Sequence, residues 1–128
     1  MKGGGLALLA AAALAAGCGS YFRSERPEGV AIADDGAAVV WVAALRPIVF
    51  DAAVEEITRR GAVLVSSAEA LWVKGESEGA QVAVNLEDEA GGTRMRVLVT
   101  NPPTTPEGHE MPQRIAGAIA RRAGAATR

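Results

Sequence analysis

Few side chains in this 128-residue sequence are of a type that does chemistry, and Cys18 is the first of them. It is the single cysteine, and it closes the run Leu14-Ala15-Ala16-Gly17-Cys18 behind an apolar stretch from Leu6 to Ala16. A lone thiol there has no disulfide partner in the chain and is a candidate for covalent modification. His109 is the only histidine. A metal centre needs three or four ligands, so His109 reads as a surface residue in a proline-containing loop. Asp34-Asp35 reads as a solvated hairpin tip rather than a cation site. Glu55-Glu56 and Glu87-Asp88-Glu89 would have to converge across a cleft to act as catalytic carboxylates. They read as exposed helix and turn charges. Ser66-Ser67 lacks the flanking glycines of a nucleophile elbow. Gly3-Gly4-Gly5, Gly75, Gly91-Gly92 and Gly108 form no phosphate-cradling pattern. No catalytic residue, metal ligand or cofactor is expected.

The segment that positions Cys18 is an address rather than a fold element. Met1-Lys2 supplies a short positive start, and the apolar run is well short of the roughly 18 residues of a spanning helix. Leu14, Ala15, Ala16 and Gly17 before Cys18 resemble the lipobox of bacterial lipoproteins, with Ala15 where the usual motif has Leu. The resemblance implies that residues 1–17 are a removed signal peptide. Cys18 then becomes the acylated first residue of the mature chain, carrying a diacylglyceryl thioether and often a third acyl chain. Two or more acyl chains anchor stably, because each buried methylene contributes about 0.8 kcal/mol. The expected partner is therefore a membrane, reached through the N-terminal lipid. Gly19 stands where an Asp would signal inner-membrane retention. That favours the periplasmic face of the outer membrane if the cell is Gram-negative.

Residues 18–28 read as a lipidated tether. The ten residues after Cys18 are polar, contain Pro27, and reach at most about 35 Å when extended. Tyr21 and Phe22 fit either a membrane interface or a contact on the domain. With Lys2 removed from the 13 basic residues, the mature chain has 12 basic against 15 acidic, a formal net charge of −3. The basic residues form no block, which disfavours nucleic acid as a partner.

Residues 29–122 carry the periodicities of one small α+β domain, with 123–128 as a frayed tail. Apolar runs at 30–33 and 38–43 flank Asp34-Asp35-Gly36, a hairpin signal of the primed-turn type. Pro47 opens a helix whose Phe50, Ala53, Val54 and Ile57 form one apolar stripe, and Gly61 closes it. Residues 62–76 are extended, as one bent strand or two. Val82, Val84 and Leu86 alternate with Gln81, Ala83, Asn85 and Glu87. Met95, Val97 and Val99 alternate with Arg94 and Arg96. Both patterns belong to an antiparallel sheet with one wet side. Three prolines make 101–109 a loop, and Pro112 starts a second helix with Ile115, Ala118, Ile119 and Arg122 on one face. The expected architecture is four to five antiparallel strands with two helices packed on one face, in the order β-β-α-β-β-β-α. Trp41 is placed in the core between sheet and helices. Trp72, with less apolar neighbours, fits a core position or an interaction surface.

This pattern resembles a family of small bacterial lipoproteins of unknown function, DUF3568. The resemblance rests on residues 54–64 (VEEITRRGAVL), 80–86 (AQVAVNL) and 93–99 (TRMRVLV), and it covers roughly residues 30–122. It implies no activity. The expectation is a non-catalytic envelope component that presents an interaction surface, with envelope proteins as candidate partners. The alternative is a module that holds a small apolar or lipid ligand between sheet and helices.

Overall fold

The computed structural model describes residues 29–127. Its elements are β1 (Ala31–Ile32), β2 (Ala38–Val42), α1 (Arg46–Arg60), β3 (Gly61–Ser66), β4 (Trp72–Ser77), β5 (Ala80–Glu89), β6 (Gly92–Thr100), α2 (Pro106–His109) and α3 (Met111–Ala126). The fold class is α+β. The six strands form one antiparallel sheet in the order β1-β2-β6-β5-β4-β3. Four to five strands and two helices were expected; six strands and three helices are present among the described residues.

The chain leaves β2 near one edge, crosses one face as α1, and re-enters at the opposite edge as β3. It then fills the gap by two hairpins, β3-β4-β5, and a third, β5-β6, whose last strand seats beside β2. α3 returns to pack on α1, β2 and β6. Both long helices therefore share one face of the sheet. Ile57 from α1, Ile115 and Ile119 from α3, and Val73, Val82, Val84, Met95 and Val97 from the strands are all fully buried between the layers. Burial of such side chains, about 1.5–3 kcal/mol each, is the main source of stability here.

Several local features differ from the sequence expectations, each for a physical reason. Residues 62–76 are two strands. Ser67 Oγ accepts from Leu71 N at 2.9 Å and holds the turn between them, and the β3–β4 register shifts between Val63 and Val65. That bulge scrambles the alternation a regular strand would show. The Asp34-Asp35-Gly36 connection is a three-residue loop, not a two-residue primed turn. Only Gly36 has positive φ, and Gly36 N donates to Ala33 O at 2.9 Å. Gly61 ends α1 without the left-handed conformation of a usual C′ glycine. Its φ of −176° is extended, and β3 begins there directly. Glycine is needed because a Cβ would overlap the Glu76 carbonyl across the ladder.

The proline-rich stretch is not wholly a loop. Pro106 takes the first turn of α2, and Thr105 Oγ1 caps it by accepting from Gly108 N at 3.0 Å. α3 runs to Ala126 rather than fraying at 123, since Ala123 is itself fully buried.

Candidate functional site

The residue on which the sequence places the clearest chemistry, Cys18, lies outside the described residues. So do Leu14, Ala15, Ala16 and Gly17, and the tether. Polar and aromatic side chains gather at three other places in the folded domain.

The first is a buried ion cluster. Glu56 is 1% exposed, a correction to its reading as a surface helix charge. Its carboxylate accepts from Arg59 and Arg60 on its own helix, at 2.5 and 2.6 Å, and from Arg122 of α3 at 3.0 Å. Burial pushes the Glu56 carboxyl up, but the hydrogen bonds from Arg59, Arg60 and Arg122 outweigh it and hold the group down at about 2. Glu55, exposed on the next position, meets Arg122 at 3.4 Å. The cluster fastens α1 to α3. A carboxylate held ionised by three guanidinium groups has no proton to give and little affinity for one, so it suits fastening rather than acid–base work.

The second is the neighbourhood of His109. It is exposed beside Asn101, Pro102, Pro103, Thr104, Thr105 and Pro106, with no carboxylate lining the same cleft. Among the described residues, no three His, Cys, Asp or Glu side chains gather as a metal site. Asp35 is engaged locally: Oδ1 accepts from Ala37 N at 3.0 Å, and Oδ2 pairs with Arg96. Asp88 pairs with Arg46 at 3.1 Å, and Glu89 with Arg94. Hydrogen bonding from Arg94 lowers the Glu89 carboxyl. The sequence-adjacent acids are thus separated by their partners and converge on nothing.

The third is the sheet face turned away from the helices. Strand parity decides what stands on it. Ala38, Val40 and Val42 point into the core, so Trp41 points out and is 48% exposed, contrary to its expected core position. Its Nε1 donates to Glu89 O at 2.8 Å. The register then builds two rows across the sheet. One runs Val39, Arg96, Asn85, Trp72, and the other Trp41, Arg94, Glu87. Val39, Leu71, Trp72, Asn85, Leu86, Glu87, Arg94 and Arg96 line a shallow groove of about 430 Å³. Trp72 is half-buried on its wall, and Lys74 Nζ lies 5.5 Å from the indole centroid, a cation–π contact. Val65, half exposed, lies opposite Lys74 on the neighbouring strand.

Sequence reasoning reached Trp72 as a surface candidate and placed Asn85, Glu87, Arg94 and Arg96 on a polar face. Their convergence needs the β4–β5–β6–β2 register, for which the sequence holds no signal beyond alternation. Among the described residues no helix is long and apolar enough to cross a membrane. No family model and no curated protein matches this chain.

Proposed function

We propose that this protein is a lipid-anchored bacterial envelope lipoprotein of the DUF3568-like kind. Its domain is a non-catalytic module that meets its partner with the outer face of the sheet. The anchor is Cys18, acylated after removal of residues 1–17, and the expected site is the periplasmic face of the outer membrane.

One observation carries the functional part: both long helices cover one sheet face, while the other, which carries both tryptophans, is left open by the described residues. A sheet of this size usually has its second face either polar throughout or covered. Here Trp41, Trp72, Leu71 and Val65 stand among charged side chains, of which Arg94 is paired with Glu89 and Arg96 with Asp35. Aromatic anchors set in a polar rim are the composition of recognition surfaces. The rival reading, a ligand held between sheet and helices, finds Ile57, Met95, Ile115 and Ile119 already filling that layer.

The test is photo-crosslinking in intact envelopes, with a crosslinking residue at Ala83 on the outer face or at Arg121 on exposed α3. Adducts from position 83 and none from 121 are expected. Equal yields from both, or none from 83, would remove the outer face from the account.

A further inference from the structure

We infer that the groove on the outer sheet face binds a neutral, hydroxyl-rich ligand of the saccharide class, seated against Trp72 over Asn85 and Glu87. The inference deepens the interaction reading above and rests on it.

The charge pattern argues against the other ligand classes. Arg96 and Arg94, the two cations of the groove, are already held by Asp35 and Glu89 from outside it. An anion entering the groove would compete with those carboxylates and would face Glu87, which lies directly across the ladder from Arg94. A cation would meet two guanidinium groups. An apolar ligand would leave Asn85 and Glu87 without water or partner, at a cost of about 1–3 kcal/mol for each unsatisfied group. A neutral ligand carrying both donors and acceptors avoids all three penalties.

The groups present match such a ligand. Among the described residues, the Asn85 and Glu87 side chains make no hydrogen bond, although both line the groove. Asn85 offers a donor and an acceptor, and Glu87 offers an acceptor. Each paired arginine keeps further N–H groups, because a guanidinium has five. Trp72 adds an aromatic wall whose electron-rich face attracts the C–H edge of a sugar ring. Lys74 lies over the ring, 5.5 Å from its centroid, so a sugar stacks on the indole beside or in place of that ammonium. Asn85 stands opposite Trp72 on the adjacent strand, so the ring is positioned by the sheet rather than by a loop. The volume of about 430 Å³ lies within the ordinary range for small-molecule sites and is large enough for one or two sugar rings.

The chain carries its own reporters, since Trp41 and Trp72 are its only tryptophans. Trp41 does not line the groove. The experiment titrates the full-length protein, in a detergent without a sugar headgroup, with cellobiose, maltose and N,N′-diacetylchitobiose while reading tryptophan emission. A Trp41→Phe protein isolates Trp72. At least one disaccharide is expected to change Trp72 emission saturably, with a dissociation constant on the order of 1 mM or tighter. Asn85→Ala in the same background should weaken it about tenfold, and circular dichroism should show both variants folded. Absence of a saturable change for all three sugars at about 10 mM overturns the inference, as does an Asn85→Ala protein that binds like its parent. Crosslinks from position 83 to a protein, without sugar binding, would overturn the saccharide inference and leave the interaction reading standing. No crosslink from position 83 together with no sugar binding would end both.

Discussion

Glu56 shows how a single residue's role is set by two neighbours on its own helix, Arg59 and Arg60, together with one partner remote in sequence, Arg122. Its folded-state pKa of about 2 lies below the ordinary value of 4.5. The stabilisation is therefore complete above about pH 4.5 and is lost as pH falls toward 2, and its size at neutral pH is on the order of 3 kcal/mol. Urea melts should show stability declining through that acid window. Glu56→Gln should lower stability at pH 7 by about 3 kcal/mol and flatten the acid dependence, because it leaves three guanidinium groups without their buried counter-charge. An unchanged acid slope in Glu56→Gln would show that other carboxylates control it. Arg59 and Arg60 were legible as helix-end cations, but the buried carboxylate was not, since Arg122 lies 66 residues away. Trp41 was misplaced for a related reason. Its size suggests a core position, whereas strand parity, fixed by its neighbours Val40 and Val42, turns it outward.

At the scale of the element, β5 and β6 were readable almost residue by residue, because a half-wet antiparallel strand writes its two faces as alternation. β3 was not. It is an edge strand, exposed along nearly all its length, and its bulge breaks the pattern. The hairpin turns carry strain that the sequence does not advertise. Glu78-Gly79 and Ala90-Gly91 each have positive φ at both positions, 53° and 82°, then 49° and 81°. These are two-residue primed turns with a poorly suited residue first. Ala90→Asn should raise stability by about 0.5–1 kcal/mol, read as a higher urea midpoint with an unchanged slope. Gly61→Ala should do the reverse, costing about 2 kcal/mol or more, because its Cβ would press on the Glu76 carbonyl between α1 and β4. A Gly61→Ala protein as stable as its parent would mean that the α1–β3 junction shifts freely.

Across the whole molecule, the α+β class and the one-sided helices were legible from periodicity, whereas strand order was not. The order β1-β2-β6-β5-β4-β3 requires α1 to carry the chain across the sheet before the hairpins fill it, and no local pattern encodes that crossing. The consequence, among the described residues, is a domain with one closed face and one open face. On the present account it is held near a membrane by about ten residues, so that the open face works at high local concentration. That account stands on Cys18. The most direct measurement is metabolic labelling with radioactive palmitate in a bacterial host, comparing the full-length protein with Cys18→Ser. Label on the wild type, none on Cys18→Ser, and loss of the variant from the membrane fraction are expected. An unlabelled wild type, or equal label on Cys18→Ser, would contradict acylation at Cys18.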